Sequence, residues 1–143
     1  MVGLIISGHG NFATGLSTSL KLIAGSPSNV EYVDFLETDS TDTLKEKYYA
    51  SLKNLENCDS ILALSDLAGG SPFKTLVEVK TEINKPMEVI GGTNLPMALE
   101  ISMSKDIIED LSSLTESALE VGKNGVVKFE FIVHEEVECE DGI

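Results

Sequence analysis

Two stretches decide the fold: Val2-Gly3-Leu4-Ile5-Ile6-Ser7-Gly8-His9-Gly10, and Ile61-Leu62-Ala63-Leu64-Ser65-Asp66. Each is a short apolar run that stops at a side chain able to do chemistry, His9 in the first and Asp66 in the second. Unbroken runs of this length fit strands buried on both faces, as in a parallel sheet covered by helices. If the two strands are parallel neighbours, His9 and Asp66 lie at the same edge of the sheet.

Outward from these runs, strand-like and helical patterns alternate, the sequence of β-α-β units. Phe12, Leu16, Leu20 and Ile23 recur at helical spacing from about Asn11 until Gly25-Ser26-Pro27. Tyr32, Val33 and Phe35 mark a second strand, and Leu44, Tyr48, Leu52 and Leu55 form the stripe of a second helix. After Gly69-Gly70, Ser71 is read as a cap and Pro72 as the first residue of a third helix. Met87–Ile90 is a short fourth strand, and Gly91-Gly92-Thr93-Asn94 leads to a helix with Pro96 in its first turn. A further helix is expected from about Asp106 to Val121. Val127, Phe129 and Phe131 then alternate with Lys128 and Glu130, which suits an antiparallel edge strand over Val126–Val133 with one wet face. The expected fold class is α/β: a doubly wound sheet of four parallel strands plus this antiparallel edge strand, with helices on both faces. One domain spans residues 1–133, and 134–143 is read as a solvated acidic tail.

The 143 residues carry a net charge of −14, with ten lysines and no arginine. Nucleic acid is excluded as a partner, because phosphate backbones demand a basic face; basic proteins suit this surface instead. Cys58 and Cys139 are too few and too far apart for a disulfide framework or a structural zinc site, and both are read as free thiols. No run approaches the roughly 18 apolar residues of a membrane span, and no signal-like segment precedes the first strand. A cytoplasmic protein without membrane insertion is expected.

In open α/β sheets reactive groups gather beyond the carboxyl ends of the strands, where helix N-termini present free amides. His9, Phe35, Asp66, Ser71 and Asn94 all map there. A neutral imidazole attacks phosphorus through one ring nitrogen when a carboxylate accepts from the other, and Asp66 supplies that carboxylate. The amides around Gly70-Ser71 and the Ser71 hydroxyl suit the negative charge of an acquired phosphoryl group. Singly, each of these residues is at home in a plain turn or helix start; it is their shared edge that points to one phosphohistidine site. Phe35, Leu95 and Met97 are read as packing residues. No cofactor and no metal are expected. Gly8-His9-Gly10 leaves the dinucleotide fingerprint incomplete at Ala13, Gly69-Gly70-Ser71-Pro72 lacks the lysine of a Walker loop, and His9 with Asp66 lacks a third metal ligand.

Three ordered blocks, Ile5-Ile6-Ser7-Gly8-His9-Gly10 with Gly15-Leu16, Asp66-Leu67-Ala68-Gly69-Gly70-Ser71-Pro72-Phe73, and Gly92-Thr93-Asn94-Leu95-Pro96-Met97, carry a resemblance over nearly the whole chain. It resembles the IIA component of the mannose-type family of the bacterial phosphoenolpyruvate-dependent sugar phosphotransferase system. The resemblance implies that His9 receives a phosphoryl group from phospho-HPr and passes it to a IIB component. It further implies that Asp66 orients His9, that Ser71 places a hydroxyl beside the phosphate, and that the last strand is exchanged across a homodimer. In such systems membrane components select the sugar. The chain departs from the best-studied mannose pattern after the aspartate, where Leu67-Ala68 replaces Thr-Trp and removes a hydroxyl. Two other readings stand beside it: the phosphoryl-carrier subunit of a phosphoenolpyruvate-dependent dihydroxyacetone kinase, and a regulatory interaction module. A response-regulator receiver is rejected, because its first strand needs acidic metal ligands where this chain has Gly-His-Gly.

Overall fold

The computed structural model describes residues 1–133. Strands β1 (Val2–His9), β2 (Val30–Phe35), β3 (Ser60–Ser65) and β4 (Met87–Ile90) form one sheet in the order β2-β1-β3-β4, every pairing parallel. Helices α1 (Phe12–Ala24), α2 (Thr41–Asn54), α3 (Ser71–Glu82), α4 (Leu95–Ser104) and α5 (Leu111–Asn124) cover both faces.

The alternation of side chains along a strand explains the two layers. Val2, Leu4 and Ile6 of β1 join Leu62 and Leu64 of β3 in a core with Ala13, Leu20, Ala98, Ile101, Leu114 and Ala118, on the face carrying α1, α4 and α5. Ile5, Ile61 and Ala63 point the other way, toward Leu44, Tyr48, Leu76 and Val79 of α2 and α3. Both central strands are therefore free of polar side chains from Val2 to Ile6 and from Ile61 to Leu64, before they reach the edge that carries His9 and Asp66. The doubly wound parallel architecture matches the expectation from sequence.

Four details differ. β1 continues past the end of its apolar run at Ile6, through Ser7 and Gly8, and His9 is its last residue. Ile23 is 58% exposed and lies off the buried stripe of α1. The last helix starts at Leu111 rather than near Asp106, because the Asp110 side chain accepts the Ser113 amide and caps it there, while residues 105–107 form a turn back to Ser104. The antiparallel edge strand expected over 126–133 does not form. That segment pairs with nothing among the described residues, and Val127, Phe129 and Phe131 are 82%, 84% and 82% exposed. A strand with one apolar face needs a sheet edge to pair with and a cover for that face, and among the described residues neither β2 nor β4, the two edges of the sheet, pairs with the segment. The acidic tail, with His134 and Cys139, lies outside the described residues; Cys58 is a free, buried thiol.

Candidate functional site

The parallel β1–β3 pairing sets Ser7 beside Ser65, and the Asp66 amide extends the ladder one step by donating to the Ser7 carbonyl at 3.1 Å. His9 and Asp66 thus emerge at the same edge. Asp66 Oδ2 accepts twice from His9, at 2.9 Å from its backbone amide and 2.9 Å from Nδ1. Gly8 makes this approach possible: a Cβ there would lie 2.7 Å from Asp66 Cγ and 2.6 Å from the Phe12 ring.

Burial alone would raise the Asp66 pKa, but the His9 amide, the His9 ring and the Leu67 amide all favour the carboxylate, and the net shift is downward. An ionised carboxylate only accepts, so Nδ1 carries the hydrogen and the Nε2 lone pair is free. The Asp66 side chain is 16% exposed and that of His9 46%, so the carboxylate is sheltered while the ring reaches solvent.

Two further contacts fix the ring. Phe35 stands edge-on to it, centroids 6.0 Å apart and planes at 70°, opposite His9 in the β1–β2 register. Gly70 closes the other approach, since a Cβ there would sit 2.7 Å from His9 Cε1. Sequence reading placed Phe35 at this edge but assigned it to packing; the register of β2 against β1, which sets it opposite His9, is what brings its ring against the imidazole.

Ser71 does not cap α3 as expected. Gly70 is the N-cap, extended at φ −75° and ψ 171° and offering no side chain, which puts Ser71 at the first helical position and Pro72 at the second. The cap position is also the one that must lack a Cβ against His9, so it has no side chain to offer the helix. Consequently the first turn of α3 is left with unfilled amides beside the imidazole, and the Ser71 hydroxyl has no hydrogen-bond partner among the described residues. Asn94 reaches the expected edge but is spent on structure: its Oδ1 accepts the Met97 amide at 3.1 Å and its Nδ2 donates to the Gly122 carbonyl at 2.8 Å. Leu95 and Met97 pack in or against the core.

Among the described residues, no group of three or more His, Cys, Asp and Glu side chains could hold a metal ion, and no helix is long and apolar enough to cross a membrane. Chemically, the arrangement is a tautomer-fixed, solvent-facing imidazole beside a helix N-terminus with free donors, which suits attack on an electrophile that arrives carrying negative charge.

Residues 3–119 match the family model described as "PTS system fructose IIA component". The chain is 34% identical over 125 residues to the mannose-specific EIIAB component of Escherichia coli, covering 87% of this chain and 38% of that protein; it therefore spans about two fifths of that relative's length. Against the fructose-specific EIIA component of Bacillus subtilis it is 32% identical over 127 residues, 85% of this chain and 86% of the relative. The crystal structure of an EIIA component from Streptococcus agalactiae superposes with a TM-score of 0.81 at 31% identity, covering 90% of this chain and 97% of that one. This chain belongs to the mannose/fructose-type IIA family of the sugar phosphotransferase system.

Proposed function

We propose that the chain is a phosphoryl carrier that accepts a phosphoryl group from phospho-HPr on His9 and delivers it to a IIB component for sugar uptake. The observation that carries this reading is the hydrogen bond from His9 Nδ1 to Asp66, which leaves Nε2 as the open nucleophile. As the Nε2–P bond forms, the P–N bond to the donor's imidazole breaks, and its electron pair returns to that ring. Positive charge grows on His9 and is met by the Asp66 carboxylate. The phosphoryl oxygens face the first-turn amides of α3 and the Ser71 hydroxyl. In the forward step the IIB nucleophile attacks the same phosphorus, and the pair of the Nε2–P bond returns to His9.

The chain's charge of −14 suits the basic rim that HPr presents in such systems. The exposed 126–133 segment, with its alternating apolar face, supports a homodimer in which that segment joins the partner's sheet. The carrier domain is 1–133, acting in the cytoplasm. Both the family match and the named relatives are sugar-transport components, so the dihydroxyacetone-kinase reading is not favoured.

The test is transfer from phosphoenolpyruvate through enzyme I and HPr, read by intact mass. An acid-labile phosphoryl adduct that disappears in His9→Ala supports the proposal. An active HPr that leaves the chain unmodified refutes it and returns the interaction-module reading.

A further inference from the structure

Beneath the site lies a buried polar cluster that the chemistry above does not use. Tyr48 of α2 is fully buried, and its hydroxyl stands 2.7 Å from Ser7 Oγ and 3.2 Å from the Pro72 carbonyl. Ser7, also fully buried, lies 2.8 Å from the Val33 carbonyl. One hydroxyl pair therefore touches β1 two residues before His9, β2 two residues before Phe35, and α3 one residue after Ser71. Those are the three elements that hold the imidazole, the ring beside it and the phosphate-facing helix.

We propose that Tyr48 is a positioning residue for phosphoryl transfer, its hydroxyl holding the His9 end of β1 and the Ser71 end of α3 at a fixed separation. This rests on the carrier reading of His9. A core role alone would be met by phenylalanine, because the ring is already enclosed by the cluster of Ile5, Leu44 and Leu76. The hydroxyl adds two polar contacts, and both go to residues adjoining the site.

The count of hydrogens sharpens the point. Two hydroxyl hydrogens serve three contacts. If Ser7 donates to Val33, the Tyr48 hydrogen is shared between Ser7 Oγ and the Pro72 carbonyl. Loss of that single hydrogen therefore loosens the strand and the helix together. Burial, opposed by the Ser7 hydrogen bond and reinforced by the Asp66 charge, drives the Tyr48 pKa far above the ordinary phenol value, so the donor persists across the working pH range.

The experiment compares wild type, Tyr48→Phe and Ser7→Ala in single-turnover transfer from phospho-HPr, with the KM for phospho-HPr, the lifetime of the isolated phosphohistidine and thermal unfolding measured alongside. Tyr48→Phe is expected to slow the saturated transfer rate roughly three- to tenfold, the size of one neutral hydrogen bond, with KM unchanged because the docking surface is untouched. Ser7→Ala leaves the Tyr48–Pro72 contact and is expected to cost roughly two- to threefold. A wild-type transfer rate and phosphohistidine lifetime in Tyr48→Phe, whatever its melting temperature, would reduce the hydroxyl to a packing role and overturn the proposal. So would a loss expressed entirely in KM. If Tyr48→Phe is too unstable to assay, Ser7→Ala decides, and its full activity counts against the proposal. A wild-type chain that takes no phosphoryl group from active HPr sinks the carrier reading and this inference with it, an outcome distinct from variants that match an active wild type.

Discussion

Replacing Asp66 with asparagine separates two roles that alanine removes together. Both hydrogen bonds from His9 end on the same oxygen, Oδ2. An asparagine that puts its amide oxygen there keeps both contacts and the Nδ1–H tautomer, and loses only the charge. Opposite unit charges 4 Å apart near a protein surface interact by about 4 kcal/mol at an effective dielectric of 20. If the imidazole carries about half a charge in the transition state, the carboxylate contributes about 2 kcal/mol, or roughly 30-fold in rate. His9 is 46% exposed, so solvent screening brings the expectation for Asp66→Asn to a loss of roughly 10- to 30-fold in transfer from phospho-HPr. Asp66→Ala also frees the ring to rotate and change tautomer, and its loss should exceed 100-fold on the order of two charge-assisted hydrogen bonds.

Rapid-quench transfer at saturating phospho-HPr reads both values. An asparagine variant as slow as the alanine variant would refute the separation of charge from geometry. An asparagine variant at wild-type rate would remove the charge from the mechanism altogether. Stability supplies an independent check on the same carboxylate. Its pKa is lowered on folding, so the unfolded chain binds that proton more tightly and the stabilisation is full above the ordinary value of 3.8. It fades as pH falls through the lower folded value, and Asp66→Asn should flatten that acid limb of stability.

Gly70→Ala should keep helix content, since φ −75° suits alanine, yet push the His9 ring from its seat; a transfer loss approaching about 100-fold is expected, and an unimpaired variant would show that the ring has room to spare. Thr93 Oγ1 is buried without a hydrogen-bond partner among the described residues, so Thr93→Val should raise stability by up to about 1 kcal/mol in urea unfolding, and a clear loss would reveal a partner. On the homodimer reading, Phe129→Glu with Phe131→Glu should give a folded monomer by light scattering, and a dimer that persists would place the interface elsewhere.

What was legible in the sequence follows from how local each signal is. The apolar runs of β1 and β3 are continuous because both sheet faces are covered, and His9 and Asp66 follow within three residues of where each run ends, at Ile6 and Leu64. His9 and Asp66 could be paired on that ground alone. Ser71 was misplaced as a cap by one residue, because the helix is entered from Gly70, which packs so close to the His9 ring that a Cβ would not fit, and that approach joins residues far apart in the chain. Phe35 and Tyr48 were hidden by their own hydrophobicity: each fits an apolar stripe, and only the register of β2 against β1, or the reach of one hydroxyl to Ser7 and Pro72, distinguishes them from ordinary core. The strand expected over 126–133 was read from a true period of two, but a period describes what a segment requires and not whether its own chain supplies it.

The distribution of helix caps carries the argument one step further. Helices α2, α4 and α5 each have an N-cap side chain accepting an amide, from Ser40, Asn94 and Asp110. The two helices that flank His9 do not: the Asn11 side chain makes no cap hydrogen bond at α1, Gly70 has no side chain at α3, and at α1 the Thr14 amide is taken by Asp34. Among the described residues no lysine forms an ion pair with Asp66, which is paired with His9 alone. On the carrier reading, the uncapped first turn of α3 would meet a phosphoryl group with backbone dipoles. That choice fits a carrier. A lysine paired to the phosphate would deepen the phosphorylated state and slow its discharge, whereas neutral amides stabilise the dianion modestly and leave it transferable to the next acceptor.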